Sequence, residues 1–288
     1  MEVVYLLVNP AARGLGRQHQ HERILCALAE RSSSVVQISP PSVAGVAPSV
    51  EAALGDGMTR LVIAGGDGLV HQGIQAVAGS EVVVGIVPVG SGNDFARALK
   101  IPSRLVSAVE RALEPPTPID LIQSGDRYAV SVVTGGFSGQ VNAKANELPL
   151  PGSTCYTVAT LAELGKLQPF ELEMTIDGVI HNLKSTMFGV ANTRYFGGGM
   201  DICPAAQPTD GMLDITVIGE TSAFTLARML PTVFFGRHLR HPAVTTYRAA
   251  EVTITTNPEQ AVWADGERFV DGTLTAAAGA LLVAGRVV

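Results

Sequence analysis

Residues 61–68 read LVIAGGDG: a short apolar run, two glycines and an Asp-Gly pair. An apolar run of this length that ends in a turn signal is typical of a buried strand. Two glycines let the backbone turn sharply and approach a ligand closely. The residues after Gly68 predict a helix that continues to about Ala78. The stretch therefore predicts a strand–turn–helix unit whose helix start can offer backbone N–H groups to phosphate oxygens.

Strand-like and helix-like segments alternate on both sides of this unit. Residues 3–8 and 34–38 predict strands before it, with a helix over residues 18–31 between them, and residues 82–87 predict a strand after it. This alternation argues for parallel βαβ units. The last strand leads into residues 88–94, PVGSGND. Because ligands of open α/β sheets bind at the carboxyl ends of the strands, the two glycine loops predict a ligand site.

The character of the chain changes near residues 115–120, and the sequence predicts an α/β domain over residues 1–122 and a β-rich domain over residues 123–280. Segments rich in Val, Thr, Ile and Phe recur in the second domain, and residues 171–183 predict a hairpin around Asp177-Gly178. Three helices interrupt the predicted strands, at residues 141–147, 155–166 and 222–236. Whether the apolar residues 281–288 return to the first domain is open at this point.

Composition narrows the class of protein. Hydrophobic residues make up 47% of the 288 residues and charged residues 16%, yet no apolar run approaches the roughly 20 residues that a membrane span needs. The net charge is −6 and the sequence shows no dense Lys/Arg cluster, which argues against a nucleic-acid partner. Three widely spaced cysteines indicate free thiols. We expect a cytoplasmic protein. Its apolar composition is consistent with an enzyme that works at a membrane surface, and a compact core explains the composition equally well.

The two glycine loops carry the candidate chemistry. Asp67 follows two glycines at a strand end and could hold a magnesium-bound water; the alternative is a tight turn without a ligand, because Asp-Gly pairs are common in turns. In the second loop Ser91 can donate to a phosphate, and Asn93 can bond nucleotide or backbone. Asp94 could cap the next helix or stand near the metal. Arg97, one helical turn further on, is a phosphate contact or a surface ion pair.

Taken together, these loops resemble those of the diacylglycerol kinase catalytic-domain family, which includes bacterial lipid kinases and sphingosine kinases. The likeness starts at Asn9-Pro10 and Gly14 and continues through both loops in the expected order. It extends to later stretches of the chain: residues 195–200 (YFGGGM), Pro204, residues 210–213 (DGML) and residues 265–267 (DGE). The resemblance implies ATP as donor, a lipid hydroxyl as acceptor and magnesium as metal. It also implies an NAD kinase-like α/β domain followed by a β sandwich-like domain, with the active site in the cleft between them.

By position, the resemblance assigns a role to each matching residue. The ATP site would be lined by Asn9, Ser39, Gly65, Gly66, Asp67, Gly68, Leu69 and Ser91. A carboxylate–water–magnesium network would involve Asp67, Asp94 and Asp120. A second magnesium site would use the Asp210 carboxylate with the backbone carbonyls of Gln207 and Met212. Glu267 would be the catalytic base. The structural alternatives are a strand cap for Asp120, a loop turn for Asp210 and a solvated side chain for Glu267.

The chain departs from the family pattern just after the first loop. Leu69 stands where Thr is usual, His71 where Asn is usual and Gln72 where Glu is usual, while Ser91 replaces a common Thr and keeps the hydroxyl. These changes keep open a catalytically weak nucleotide- or lipid-binding protein beside the lipid kinase. NAD kinase is a third candidate, since that family also uses a Gly-Gly-Asp-Gly turn. The acceptor lipid is open, although diacylglycerol, which would give phosphatidic acid, is favoured. The oligomeric state is also open, with a homodimer as one option.

Overall fold

The chain divides into two compact units. The computed structural model describes residues 2–8, 15–148, 153–257, 259–269 and 272–287. Unit 1 comprises Met1–Ile119 with Gly279–Val288, and unit 2 comprises Asp120–Ala278. No helix among the described residues is both long and apolar enough to cross a membrane.

Unit 1 is built around a parallel sheet with helices between its strands. Its strands are β1 Val3–Val8, β2 Ser34–Ile38, β3 Arg60–Gly65, β4 Val83–Pro88 and the start of β5 Pro116–Ser124. Its helices are α1 Leu15–Ala29, α2 Val46–Gly55, α3 Asp67–Val77, α4 Asp94–Ala98 and α5 Leu105–Ala112, with a 3-10 turn at Val43–Gly45. The sheet order β4-β3-β1-β2 follows from three parallel pairings.

The centre of this sheet is β3, and every one of its residues is buried. After Arg60 the strand is apolar, as expected where helices cover both faces of a parallel sheet. Helix α3 packs directly on it. A Cβ at Gly73 of this helix would lie 2.7 Å from Cδ1 of Ile63, so glycine is needed for the close approach. The register pairs Gly65 with Pro88, and therefore the loops that follow β3 and β4 begin side by side.

Unit 2 is mainly antiparallel. Its strands are the end of β5, then β6 Arg127–Ala129, β7 Val132–Gly136, β8 Phe170–Ile176, β9 Val179–Ala191, β10 Tyr195–Phe196, β11 Met200–Asp201, β12 Leu213–Gly219, β13 Val244–Ala249, β14 Glu251–Asn257, β15 Trp263–Ala264, β16 Glu267–Arg268 and β17 Gly272–Ala284. Its helices are α6 Phe137–Glu147, α7 Ser153–Leu164 and α8 Ala223–Val233, with a 3-10 turn at Arg237–Arg240.

The long strand β9 organises unit 2. Its first half pairs with β8 around the Asp177-Gly178 turn, and its second half pairs with both β7 and β12. It thus takes part in two runs of antiparallel strands, and apolar side chains from both runs, such as Leu172 and Phe188, share one buried cluster. A second cluster joins α6, α7 and α8 to β7 and β9. This is the β sandwich-like arrangement that the family resemblance implies.

The last strand, β17, contributes to both units. Its first part pairs antiparallel with β14. Its last part pairs parallel with β4, with Leu282 opposite Val83. Both Leu282 and Val283 lie in apolar stretches, as a strand beside a buried parallel neighbour requires. The C-terminal segment is therefore a further parallel strand of the unit 1 sheet, next to β4.

The local predictions are confirmed with small shifts at the ends of elements. The strands predicted at residues 3–8 and 34–38 are β1 and β2, and the hairpin around Asp177-Gly178 is β8–β9. Asp177 adopts φ 45° and Gly178 φ 85°, the left-handed backbone that such a turn demands. The helix predicted over residues 18–31 instead runs over Leu15–Ala29. Boundaries differ because apolar spacing defines the middle of a helix better than its ends.

Candidate active site

The first glycine loop leads straight from β3 into α3. Gly65 is the last residue of β3, Gly66 is the N-cap in extended backbone, and Asp67 is the first helical residue. Gly68 is exposed and Asp67 is partly exposed. The first turn of an α-helix has N–H groups without intrahelical partners, together with the positive end of the helix dipole. This geometry suits the phosphates of a nucleotide.

The backbone of the second glycine loop packs directly against the backbone of the first. The Val89 N–H donates to the Gly65 carbonyl at 3.1 Å. A Cβ at Gly90 would lie 2.4 Å from Cα of Gly66, and one at Gly66 would lie 3.1 Å from Cα of Gly90. Any side chain at Gly90 would therefore push the two loops apart. The glycines are required because two loop backbones pack against each other at this edge of the sheet.

Asp67 connects the two loops. Its Oδ1 accepts a hydrogen bond of 3.2 Å from the Phe95 N–H at the start of α4. Its Oδ2 lies so close to Gly92 that a Cβ there would come within 2.8 Å. The carboxylate at the start of α3 is thus held against the loop that precedes α4. A negative charge fixed between two glycine loops is well placed for the outer coordination of a metal ion.

The second loop is held in shape by its own polar side chains. Asn93 adopts φ 53° in the left-handed region, accepts from the Gly90 N–H at 3.0 Å and donates to the Gly90 carbonyl at 2.8 Å. It occupies the N-cap position of α4 but makes no side-chain capping bond to that helix. Buried Asp94 pairs with Arg97 at 2.9 Å, and Arg97 also donates to the Gly92 carbonyl at 3.1 Å.

Three of the remaining predicted nucleotide contacts, Ser39, Leu69 and Ser91, are described residues of unit 1. Ser39 is exposed directly after β2, and Ser91 is exposed at the tip of the second loop. Leu69 lies in the first turn of α3, where its side chain folds back over Gly65: a Cβ at that glycine would be 2.6 Å from Leu69 Cδ2. Asn9 lies outside the described residues.

Leu69→Thr is expected to strengthen ATP binding. A hydroxyl in the first turn of α3 would regain a phosphate contact, and a hydrogen bond to a charged group corresponds to about tenfold or more in Kd. Isothermal titration calorimetry with ATP measures the change. Leu69→Val is the matched control, because valine has the shape of threonine without its hydroxyl. Equal Kd values for the two variants would show that position 69 does not reach the phosphates.

In unit 2, Asp120 is tied to the loop that contains Asp210. The Asp120 Oδ2 accepts from the Gly211 N–H at 2.7 Å, and its own N–H donates to the Pro208 carbonyl at 2.7 Å. The Asp120 side chain is only 4% exposed. Asn192, which the sequence analysis did not single out, donates to the Asp120 carbonyl at 2.7 Å. Asp120 therefore positions the Asp210 loop, whereas Asp67 and Asp94 belong to unit 1.

Arg248 stands between two carboxylates of this region. It contacts the Asp210 carboxylate directly, and its Nε lies 3.9 Å from Asp214 Oδ2. Burial, followed by the negative charge of Asp210, raises the pKa of Asp214, while Arg248 opposes that rise. Neither Arg248 nor Asp214 was predicted from the sequence. No signal could have paired Arg248 with Asp210, since 38 residues separate them.

The donor set of this region fits a hard cation. Asp210 and Asp214 supply carboxylate oxygens, and the buried Oδ2 of Asp214 has no hydrogen-bond partner among the described residues. Magnesium takes oxygen donors of this kind. Arg248 supplies the positive charge in this structure, so metal binding at Asp210 would require the guanidinium to give way. Across the described residues, no group of three or more His, Cys, Asp and Glu side chains is arranged around a common point.

Asp210→Asn is expected to reduce the thermal stabilisation that magnesium confers. The measurement is the rise in Tm between chelator and saturating magnesium, since a ligand that binds only the folded state stabilises it by mass action. Arg248→Gln is the informative partner variant. It removes the competing cation and keeps the carboxylate, so its magnesium-dependent rise should exceed that of the parent protein. Equal rises for all three proteins would mean that the Asp210 loop is only a turn.

Glu267 follows a tight turn in unit 2. Asp265 and Gly266 adopt φ 51° and 89°, and Ala264 pairs with Glu267 across this turn. The Glu267 side chain is partly exposed. The two oxygens of Asp265 accept from the Val130 and Ser131 N–H groups at 2.8 and 3.2 Å. The Asp265 carboxylate thereby anchors the turn that presents Glu267, a role that its Asp-Gly pattern alone did not reveal.

Both parts of the chain match known families. The diacylglycerol kinase catalytic domain matches residues 3–124, and the YegS C-terminal NAD kinase beta sandwich-like domain matches residues 131–284. A diacylglycerol kinase of Mycobacterium tuberculosis is 34% identical over 276 residues, covering 92% of this chain and 88% of the relative. A probable YegS-like lipid kinase of Pseudomonas putida is 32% identical over 210 residues, covering 70% and 71%.

The fold has close structural counterparts. The crystal structure of a putative diacylglycerol kinase from Bacillus anthracis superposes with a TM-score of 0.81 at 21% identity, covering 99% of this chain and 98% of that one. Fold, loops and matches together define an ATP-dependent lipid kinase. ATP is its co-substrate and a lipid is its acceptor. The chain belongs to the diacylglycerol kinase catalytic-domain family.

Proposed function

We propose that this enzyme transfers the γ-phosphate of ATP to the hydroxyl of diacylglycerol and so forms phosphatidic acid. The observation that carries the proposal is the Asp67 carboxylate, which holds two glycine loops together at neighbouring strand ends. The identity of 34% to a protein named diacylglycerol kinase supports the choice of acceptor. The competing idea of a catalytically weak binding protein rests on Gln72 and on Leu69, whose side chain covers Gly65 and offers no hydroxyl.

The role proposed for each group of residues follows from the physics of phosphoryl transfer. The acceptor hydroxyl oxygen attacks the γ-phosphorus, the bond to the β–γ bridging oxygen breaks, and ADP leaves. Little covalent work falls to the protein, so positioning and charge neutralisation dominate. In the proposal the loops at Gly65–Gly68 and Gly90–Asp94 hold the triphosphate, and Glu267 takes the proton of the acceptor hydroxyl. Bound magnesium would neutralise phosphate charge, with Asp67, Asp94 and Asp120 as outer partners and Asp210 with the Gln207 and Met212 carbonyls as a second site.

The test is phosphate transfer from radiolabelled ATP in the presence of magnesium. The acceptors are diacylglycerol, monoacylglycerol, a sphingoid base and phosphatidylglycerol, each in mixed micelles, with NAD as the control for the alternative kinase class. Label in phosphatidic acid, at a rate well above the label in the other products, is the expected result. Transfer to another lipid but not to diacylglycerol would overturn the choice of acceptor. Absence of transfer to any acceptor, with ATP binding intact, would favour the binding protein.

A further inference from the structure

Helix α8 of unit 2 is apolar on two opposite faces. One face packs into the core through Leu226, Met229 and Val233. The other face is exposed, and it carries Phe224, Arg228, Pro231 and, just beyond the helix, Phe235. The steps between these exposed positions are three and four residues, which places them in one stripe along the helix. The core thus accounts for only one of the two faces.

The exposed stripe and the adjacent Phe234 hold the most accessible aromatic side chains of the described chain. Phe235 is 73% exposed, Phe224 70% and Phe234 49%. Phenylalanine normally lies inside a folded domain, and a cluster of exposed large apolar side chains usually marks a surface that binds something apolar. We call the side chains of Phe224, Arg228, Phe234, Phe235 and Arg237 the α8 surface.

The charge of this region is opposite to that of the whole protein. Residues 221–250 contain four arginines and no Asp, Glu or Lys, although the chain has a net charge of −6. The guanidinium of Arg228 lies 5.7 Å from the ring centre of Phe224, and that of Arg237 lies 5.9 Å from the ring centre of Phe235. Among the described residues, neither arginine forms an ion pair with a carboxylate. The arginines are therefore available to an external anion.

A second pair of exposed apolar side chains differs from the α8 surface in the charge of its surroundings. Val179 and Ile180 are each 60% exposed at the β8–β9 hairpin. Their neighbourhood is acidic, because the turn contains Asp177, whose carboxylate accepts from the Glu251 N–H at 3.1 Å. An anionic partner would be repelled there and attracted at α8. Aromatic side chains with arginines beside them match the boundary between acyl chains and phosphate headgroups.

We propose that the α8 surface docks the enzyme on a bilayer that contains anionic phospholipid. The phenylalanines enter the acyl region, and Arg228 and Arg237 contact the lipid phosphates. The proposal rests on the proposed function in one respect: a membrane-resident acceptor gives the docking its purpose. Membrane binding itself does not require catalysis, so the two can be tested apart.

Vesicle sedimentation tests the docking directly. The 288-residue chain is mixed with vesicles of phosphatidylglycerol and phosphatidylcholine in equal parts, or of phosphatidylcholine alone. The parent protein should bind the anionic vesicles more tightly, and added salt should weaken that binding. The pair Phe224→Ser/Phe235→Ser should lower the partition coefficient by about 100-fold, and Arg228→Gln/Arg237→Gln should lower it by about 25-fold. The matched control Val179→Ser/Ile180→Ser, which removes as many exposed apolar side chains elsewhere, should bind as the parent does.

A fluorescence reporter locates the contact. Phe235→Trp should shift its emission to the blue and be quenched by brominated acyl chains on anionic vesicles, whereas Ile180→Trp should do neither. Trp263, the only native tryptophan, gives the background in the parent protein. Equal vesicle binding by the phenylalanine variant and the parent, or no vesicle binding by the parent, would overturn the proposal. If the phenylalanine variant loses self-association but binds vesicles as the parent does, the α8 surface is a contact between copies of the chain. That result would also overturn the proposal.

Kinetics separate this proposal from the proposed function. The phenylalanine variant should keep parental turnover on a short-chain diacylglycerol dispersed as monomers and lose turnover on long-chain diacylglycerol in vesicles. If the variant fails on both acceptors while its Tm matches that of the parent, the α8 surface acts in catalysis and the docking role is wrong. If the parent binds vesicles through α8 but phosphorylates no diacylglycerol, the docking stands and the acceptor assignment falls.

Discussion

Asp67→Asn is expected to lower turnover by about 100-fold or more at saturating ATP, while the protein stays folded. Asparagine keeps an oxygen that can accept from the Phe95 N–H, so the link between the two glycine loops survives. What disappears is the negative charge that we assign to the metal–nucleotide network. Asp67→Ala removes both and should also lose about 1 kcal/mol of stability with the hydrogen bond.

A second Asp-Gly pair in the same unit provides the control for this prediction. Asp56 and Gly57 form an exposed turn after α2, with Gly57 at φ 83°. Asp56→Asn makes the same chemical change where no loop or helix start is affected, so its turnover should equal that of the parent. Steady-state rates with radiolabelled ATP, alongside thermal unfolding, measure both effects. Near-parental turnover of Asp67→Asn would remove the charge of Asp67 from the mechanism and leave the residue a structural link.

Glu267→Gln should lower the rate of the chemical step by about 100- to 10,000-fold, as expected for the loss of a general base. Glutamine preserves the size of the side chain at the β15–β16 turn, and the anchor at Asp265 is untouched. Magnesium–ATP affinity should stay within about threefold, because the residue is assigned to the acceptor. Glu251→Gln, an exposed strand position of the same unit, is the control for a general loss of negative charge.

Measuring kcat and nucleotide affinity separately tests the role assigned to Glu267. A variant that retains a tenth or more of parental turnover would show that Glu267 is not the base. A joint collapse of ATP binding and turnover would move the residue into the metal network. Asp265 is a poor substitute base, since both of its oxygens accept backbone N–H groups in the turn; Asp265→Asn should therefore lower stability as well as activity.

The sequence predicted the parts of the candidate site that are local. The run of residues 61–68 specified a buried strand, a glycine turn and a helix start, and the structure places them as β3, Gly66 and α3. The second loop was recognised for the same reason, because its glycines follow a strand directly. The α/β-then-β order and the lipid kinase family were both confirmed. The roles of the individual site residues stay predictions.

Side-chain partners within the loops could not be predicted. Asn93 was expected to bond either nucleotide or backbone, and the structure shows bonds to both backbone groups of Gly90. The partner of the Asn93 side chain depends on the left-handed backbone of this residue. Asparagine tolerates that conformation, but its presence in a sequence does not establish it. For Arg97, where two roles were open, the ion pair with Asp94 is the one the structure shows.

Sequence by itself determined the strands, turns and helices, because apolar spacing and turn residues act over a few neighbouring positions. Tertiary structure decided the rest. Leu282 pairs with Val83, and Arg248 meets Asp210 and Asp214, through contacts whose partners are far apart in the chain. The same holds for α8, which is apolar on both faces: its sequence defines the helix, but only the packing of Leu226 and Met229 against the core determines that Phe224 and Phe235 face solvent. Local periodicity carries no information about which distant surface will cover a face, so that choice belongs to the folded chain.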